Sequence, residues 1–289
     1  MRLTDEVRAN AARIAASATS VRIVPDRLAA IEVEPVGEPE AERHLVEAGE
    51  EDTIRYVLCL TAINFGSGWW PTIKKRPGMS GYFTMATGLT ERFRAHGAWT
   101  NAELRTVTTQ EIAEALGQEP GHELMALYAD ALRQLGRWLG TRPAVTVIKD
   151  AGRSAERLAE SLAEMPFFAD RGFYKRAQIC GPELERFGVA EFDDLDRLTL
   201  FADNLVPHVL RIDRALEYSE ALTARIDAEQ LLPFGSWERE IRGCGVTAVE
   251  QLAKLRGMHP YELDMALWSR GQAPEYKAHP RHRHRTVFY

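Results

Sequence analysis

Two carboxylates and a pair of glycines have the types and spacing that best support chemistry. Asp264 lies 19 residues after Gly245, which forms a Gly-x-Gly pattern with Gly243, and a second acid, Asp203, stands in an apolar stretch. The glycine pattern predicts a tight hairpin between two helices, because glycine accepts the positive φ of such turns. The backbone amides that begin the second helix would then face an anion or a sugar phosphate.

A carboxylate beside a sugar supports cleavage of a glycosidic bond. That reaction passes through an oxocarbenium-like state, which a nearby negative charge stabilises. The alternative for Asp264 is an acid in the first turn of a helix, where it favours the helix dipole. The alternative for Asp203 is an acid that accepts hydrogen bonds from backbone amides, because an unpartnered carboxylate is costly in an apolar frame.

The glycine pair and the acid behind it resemble the helix-hairpin-helix DNA glycosylase superfamily. In that superfamily, an Asp at a similar distance from the hairpin stabilises the sugar cation or activates water. Members that also cut the nucleic acid backbone carry a Lys at the head of the second hairpin helix, where this chain has Val246 and Thr247. The resemblance therefore implies plain hydrolysis without a Schiff-base step.

A more specific resemblance rests on seven groups of residues in order along the chain. They are 62–65 with Trp69, 173–179, 198–203 with 206–207, 231–234, 240–245, 263–264 with 267–268, and 282–286 with 288–289. Together they resemble the queuosine salvage protein family, whose members are queuosine 5′-phosphate N-glycosidases. Two places depart from the family pattern: Asn204 stands where an aromatic residue is expected, and the loop 66–68 is usually more aromatic.

The family resemblance implies hydrolysis of the N-glycosidic bond of queuosine 5′-monophosphate, a 7-deazaguanine nucleotide. Free queuine and ribose 5-phosphate would be the products, and neither a cofactor nor a metal is expected. Residues 1–289 would form one compact unit, or two helical lobes of about 1–150 and 151–289 with the active site between them. Two alternatives stay open: a DNA or RNA base glycosylase, and a non-catalytic helix-hairpin-helix binding module.

The resemblance also implies roles for individual residues. Asp264 and Asp203 are the catalytic candidates. Asp264 is the first choice for the sugar and Asp203 for the base, and the sequence leaves open whether these roles are exchanged. Asn64 is expected to hydrogen-bond the base while Phe65 and Trp69 stack on it.

Further substrate-binding candidates divide into two groups. The first group contains the basic residues and histidines expected to bind the phosphate, with the two aromatic residues that precede them. Its members are Phe173, Tyr174, Lys175, Arg176, His208, His284 and Arg285. Those that come from the hairpin and from the helix after it are Gly243, Gly245 and Trp268.

Helical periodicity dominates the apolar pattern and predicts a mainly α fold, a helical DNA-glycosylase-like fold with at most a small β-sheet. Helices are predicted over 4–17, 40–62, 82–96, 122–139, 153–163, 182–188, 192–203, 206–216, 219–229, 235–256 with the hairpin inside it, and 259–270. Capping boxes at Thr100/Glu103 and Thr108/Glu111 begin two more. Strand candidates are limited to 21–24, 29–33 and 144–148. The apolar residues 287–289 predict that the basic tail docks on the body of the protein.

Composition limits the partners. The 289 residues carry a net charge of −6 at pH 7, whereas proteins that bind duplex DNA usually carry excess basic charge. A small nucleotide is therefore favoured over duplex nucleic acid. Three widely separated cysteines predict neither a disulfide framework nor a zinc site. Because no segment has the pattern of a signal peptide or a membrane span, we expect a cytoplasmic protein without a membrane partner.

Overall fold

Helices make up most of the structure, a computed structural model that describes residues 1–34 and 41–289. Over these residues there are fifteen α-helices and two short strands. The helices are α1 Leu3–Ser17, α2 Pro25–Ala29, α3 Glu50–Ile63, α4 Gly81–His96, α5 Asn101–Thr106, α6 Thr109–Leu116, α7 Glu123–Leu139, α8 Ala144–Asp150, α9 Ala155–Leu162, α10 Lys175–Arg186, α11 Val206–Ile212, α12 Glu220–Asp227, α13 Ser236–Arg256, α14 Pro260–Arg270 and α15 Pro274–Lys277. The strands β1 (Val21–Ile23) and β2 (Leu216–Tyr218) pair antiparallel. The predicted mainly α class is confirmed.

Two compact units interleave along the chain. Of the described residues, the first unit takes 1–34, Arg171–Lys175 and Leu195–Arg285. The second unit takes 41–170, Arg176–Asp194 and Thr286–Tyr289. Each unit therefore combines distant parts of the sequence, so no single cut in the chain separates them.

The core of the first unit is organised around α13. This helix packs against α1, α2, α11, α14 and β1. Its side chains Ile241, Val246, Val249 and Leu252 are fully buried. Burial of an aliphatic side chain of this size contributes about 1.5–3 kcal/mol, which makes α13 the main support of this unit.

The predicted hairpin at Gly243 and Gly245 is wrong, because both glycines lie inside the continuous helix α13. Neither has a positive φ. Their function is close packing: a Cβ on Gly243 would lie 2.6 Å from Cγ2 of Ile14 in α1. The chain reverses instead at Gly257, which has a φ of +63° and ends α13. Glycine costs about 1 kcal/mol in a helix, and the packing of α13 outweighs that cost.

In the second unit, the local capping signals are correct and one strand prediction is wrong. Thr100 and Thr108 form the two expected capping boxes. Residues 144–148, predicted as a strand, form part of α8. The physical reason is a cap from far along the chain, since the carboxylate of Glu51 accepts the backbone amides of Ala144 and Val145, both at 2.8 Å.

Four other segments also differ from the prediction. Residues 29–33 are not a strand, because α2 ends at Ala29 and 31–34 have no regular structure. Lys175 and Arg176, predicted at a strand end or loop, begin α10. The helix expected from residue 40 begins at Glu50, and residue 40 itself lies outside the described residues. Finally, 192–203 contains a single 3-10 turn, Leu195–Arg197. Side chains of other elements, Arg8, Asp264 and Arg242, bind backbone groups of this segment.

The C-terminal tail docks, as predicted. In the first unit, the N–H of Leu232 donates to the carbonyl of Arg283 at 2.7 Å. In the second unit, the N–H of Gly66 donates to the carbonyl of Tyr289 at 3.0 Å, and the Tyr289 side chain is buried. Among the helices that the structure describes, none is both long and apolar enough to span a membrane.

Candidate active site

The residues 199–205, named here the Asp203 loop, connect the 3-10 turn Leu195–Arg197 to α11. From 198 to 210, every residue is buried except Asp203, which is partly exposed. The sequence accounts for this arrangement, since Leu200, Phe201 and Leu205 anchor the loop in the core. The loop therefore presents one polar side chain to solvent, and that side chain is a carboxylate.

Two hydrogen bonds hold the carboxylate of Asp203 in place. Its Oδ1 accepts the backbone N–H of Leu205 at 2.7 Å and that of Val206 at 3.3 Å. Both amides lie at the start of α11, where the first backbone N–H groups have no acceptor within the helix. The other oxygen, Oδ2, makes no hydrogen bond with any residue that the structure describes. Asp203 is thus oriented through one oxygen and has the other available.

Asp264 fixes the loop from the opposite direction. It lies in the second turn of α14, is 4% exposed, and its Oδ1 accepts the backbone N–H of Phe201 at 3.0 Å. An unpaired buried amide costs about 1–3 kcal/mol. This bond therefore joins the two predicted catalytic acids structurally, with Asp264 supporting the loop that carries Asp203.

Arg242 of α13 provides a third anchor. Its Nε donates to the carbonyl of Ala202 at 2.8 Å, and its Nη1 pairs with Glu238 at 3.1 Å. The guanidinium lies 4.0 Å from the ring centroid of Phe173, a residue that is itself fully buried. Phe173, a predicted substrate-binding residue, is therefore a packing surface for Arg242.

The loop around Tyr174 is strained and held by α1. Tyr174 has a φ of +50°, which is unusual for a residue with a side chain. Its hydroxyl donates to the carboxylate of Glu6 at 3.0 Å. Lys175, which follows, is buried and has interactions within the protein.

Three buried histidines lie in the first unit: His208 in α11, and His282 and His284 in the C-terminal tail. The Nε2 of His208 donates to the carbonyl of Tyr276 at 2.8 Å, so its proton is on Nε2. Burial lowers the pKa of His208 to about 4, and burial lowers that of His282 to about 3. Both are therefore neutral at pH 7, which argues against His208 as a cationic phosphate ligand. The Nδ1 of His284 bonds to the carbonyl of Leu232 at 3.0 Å.

The second unit contains the other predicted candidates. Phe65 is fully buried, with the Tyr128 ring 5.0 Å and the Arg176 guanidinium 4.7 Å away. Trp69 is buried and its Nε1 donates to Glu123 at 2.7 Å. Asn64 is half-buried at the C-terminal end of α3. Stacking of Phe65 and Trp69 on a base stays a prediction, as does the role of Asn64.

Arg176 is a structural cation. Its Nη1 donates to the carbonyl of Ala62 at 2.5 Å, and its Nη2 donates to the carbonyls of Phe167 and, at 2.7 Å, Val287. Burial lowers its pKa to about 9, partly offset by the charge of Asp170. Four carbonyl contacts of this kind, including a longer one to Thr61, engage both terminal nitrogens, and the remaining donor, Nε, is buried.

Comparison with known proteins agrees with the sequence motifs. The model of the queuosine salvage protein family matches residues 44–289. The chain belongs to this family. A relative from Sphaerobacter thermophilus, named queuosine 5′-phosphate N-glycosylase/hydrolase, is 34% identical over 267 residues, which cover 83% of each chain. Relatives of the same name come from Dictyostelium discoideum (31% identical, 83% of this chain and 79% of the relative) and Nematostella vectensis (29% identical, 82% of each).

The family predicted from the sequence is therefore confirmed, while a relation to helix-hairpin-helix glycosylases stays a prediction. Of the remaining candidates, Trp268 is half-buried one turn beyond Asp264, and Arg285 is exposed. Within residues 1–34 and 41–289, no group of three or more His, Cys, Asp or Glu side chains is arranged to hold a metal ion.

Sequence reasoning missed two arginines near the Asp203 loop. Arg242 belongs to the family segment 240–245, and its bond to the Asp203 loop depends on tertiary packing alone. Arg281 belongs to the alternating basic tail 279–285. The alternation of arginine and histidine there indicates that the arginines share one side of an extended segment. It does not reveal which of Arg281 and Arg283 pairs with a carboxylate.

Proposed function

We propose that this chain hydrolyses the N-glycosidic bond of queuosine 5′-phosphate and releases queuine and ribose 5-phosphate. Support comes from membership of the family and from relatives named queuosine 5′-phosphate N-glycosylase/hydrolase. The observation that carries the proposal is the Asp203 loop. It holds a single partly exposed carboxylate with one oxygen free of the described residues.

In the proposed reaction, Asp203 acts at the sugar. The bond between C1′ and the base nitrogen breaks, and the electron pair leaves with the base, which takes up a proton. The carboxylate stabilises the positive charge on the sugar and accepts a proton from the water that attacks C1′. Asp264 positions the loop through the amide of Phe201. This assignment reverses the expectation from the sequence, in which Asp264 was the first choice for the reaction at the sugar.

The alternatives have less support. A non-catalytic hairpin module depended on the turn at Gly243 and Gly245, which lie inside α13. A DNA or RNA base glycosylase depended on the same turn, and the net charge of −6 is unfavourable for binding a duplex. We therefore propose a free nucleotide as substrate. The cytoplasmic location stays a prediction.

The test is to incubate the purified protein with queuosine 5′-phosphate and to measure free queuine by chromatography and mass spectrometry. We expect queuine and ribose 5-phosphate in equal amounts. A matched incubation with an oligonucleotide that contains queuosine should release no base. Folded protein that releases no queuine from the nucleotide would refute the proposal.

A further inference from the structure

Arg281 is a cation without a direct hydrogen-bond or ion-pair partner among the residues that the structure describes. It is half-buried, and it makes neither a hydrogen bond nor an ion pair with any residue that the structure describes. Other arginines nearby are paired: Arg242 with Glu238 at 3.1 Å, and Arg283 with Glu229 at 2.7 Å. Arg281 therefore differs from these two arginines, each of which has a carboxylate partner.

The tail places Arg281 beside the Asp203 loop. The Nδ2 of Asn204 donates to the carbonyl of His282 at 3.3 Å, and this bond joins the direct neighbours of Asp203 and Arg281. The backbone of Arg283 is fixed by the N–H of Leu232. The position of Arg281 is therefore set by bonds on its C-terminal side rather than by its own side chain.

The electrostatics agree with this placement. Burial lowers the pKa of Arg281, and the negative charge of Asp203 acts in the opposite direction. The two side chains nevertheless form no direct ion pair, and Oδ1 of Asp203 is bonded to the amides of Leu205 and Val206. A guanidinium and a carboxylate are thus close enough to influence each other without touching.

A partly desolvated cation with no partner is costly, since removing a charge from water costs several kcal/mol unless it is paired. Such a group is explained when a ligand supplies the missing anion. Guanidinium presents donors in a planar fork that fits two oxygens of a phosphate. In a nucleotide, the phosphate is attached to the same sugar whose C1′ reacts, so a cation beside Asp203 lies where a phosphate is expected.

Three of the other predicted phosphate ligands are less suited to this position. Arg176 donates to backbone carbonyls of the second unit. His208 is neutral and donates to the carbonyl of Tyr276. His284 bonds to the carbonyl of Leu232.

We infer that Arg281 binds the 5′-phosphate of the substrate and makes the enzyme prefer the nucleotide over the nucleoside. The inference rests on the proposed function and adds the residue that determines this specificity. Asp203 and Arg281 would then act at opposite ends of one ribose, the carboxylate at C1′ and the guanidinium at the phosphate.

The main experiment compares kcat/KM for queuosine 5′-phosphate and for queuosine in Arg281→Gln and Arg281→Lys. For Arg281→Gln we expect a loss on the order of 100-fold with the nucleotide and less than about threefold with the nucleoside, because the nucleoside has no phosphate to lose. Arg281→Lys should retain an intermediate nucleotide activity, since it keeps the charge without the fork. The matched control is Arg283→Gln in the same tail, which should leave both values nearly unchanged.

A binding measurement separates this inference from the proposed function. Ribose 5-phosphate should raise the melting temperature of the wild type and of Arg283→Gln, but not that of Arg281→Gln. That result without any release of queuine would refute the proposed function and leave the phosphate site standing. Equal losses with nucleotide and nucleoside, or unchanged ribose 5-phosphate binding in a folded Arg281→Gln protein, would overturn the role of Arg281. If Arg281→Gln does not fold, the same comparisons in Arg281→Lys decide the question.

Discussion

The Asp203 loop and helix α14 each contribute a carboxylate to the same region, yet the two acids stand in different surroundings. Asp264 is buried within a regular helix and accepts the amide of Phe201. Asp203 is partly exposed on an irregular loop and accepts the amides of Leu205 and Val206. Both acids accept backbone amides, so the difference teaches that exposure, and not hydrogen bonding to the backbone, is what separates them.

Accessibility makes that distinction. A group that contacts the sugar must be reachable, and Oδ2 of Asp203 is not bonded to any residue in the described part of the chain. Asp264 instead stabilises the loop, since loss of its bond would leave the Phe201 amide without this acceptor. We therefore propose that Asp264 supports the loop and that Asp203 reacts, so substitution of Asp264 should affect mainly stability and substitution of Asp203 mainly turnover.

The largest expected effect is that of Asp203→Asn on turnover. Asparagine keeps an oxygen that accepts the amides of Leu205 and Val206, so the fold should be retained. It lacks the negative charge that stabilises the sugar cation and the basicity that activates water, so kcat should fall on the order of 1000-fold. Release of queuine from saturating queuosine 5′-phosphate measures kcat, and thermal unfolding measures the fold.

A variant that keeps more than a tenth of the wild-type kcat would break the comparison, because Asp203 would then not be the reacting carboxylate. Asn204→Ala is a suitable control from the same loop. It removes the bond to the His282 carbonyl and keeps the carboxylate, so its effect on kcat should be much smaller than that of Asp203→Asn.

Asp264→Ala and Asp264→Asn should show the reverse pattern. Alanine leaves the buried amide of Phe201 without its acceptor, so we expect the free energy of unfolding to fall by about 1–3 kcal/mol. Asparagine keeps the acceptor and should retain kcat within about tenfold of the wild type. Urea unfolding followed by circular dichroism, together with the queuine assay, measures both quantities.

Loss of turnover in Asp264→Asn equal to that in Asp203→Asn, with the stability unchanged, would reverse the assignment. Asp264 would then be the reacting acid, and the residues that bury its side chain would have to move to admit the sugar. Measuring the two asparagine variants side by side therefore decides between the roles.

Local chemistry was predictable from the sequence, and distant partners were not. The capping boxes at Thr100 and Thr108 involve residues three positions apart, so their pattern is visible in the chain. The helix at 144–148 was missed because its cap, Glu51, lies 93 residues away. Valine and isoleucine there favour a strand locally, and the cap overrides that preference.

The site shows the same division. Both acids were identified from sequence, because the family motifs contain them. Their connection through the amide of Phe201 was not, since it depends on how α14 packs beside an irregular loop. The difference between Arg281 and Arg283 was also not predictable, because it depends on the tertiary contact that pairs Arg283 with Glu229.

The smallest effect concerns the two glycines of α13, Gly243 and Gly245, of which Gly245 lies against residues of the Asp203 loop region. A hairpin would require positive φ at both, and alanine would then be strongly unfavourable at both. In a continuous helix, only the space for Cβ matters. A Cβ added to Gly243 would lie 2.6 Å from Cγ2 of Ile14, whereas one added to Gly245 would lie 3.2 Å from Pro207 and 3.4 Å from Leu200.

Gly243→Ala should therefore destabilise the protein by about 1–3 kcal/mol through overpacking. Gly245→Ala should change the stability by less than about 1 kcal/mol, since the gain in helix propensity offsets a mild contact. Pro207 and Leu200 flank Asp203, so Gly245→Ala should reduce kcat slightly while Gly243→Ala acts on stability alone. Urea unfolding of both variants measures the difference, and an equally large loss in both would contradict the continuous helix.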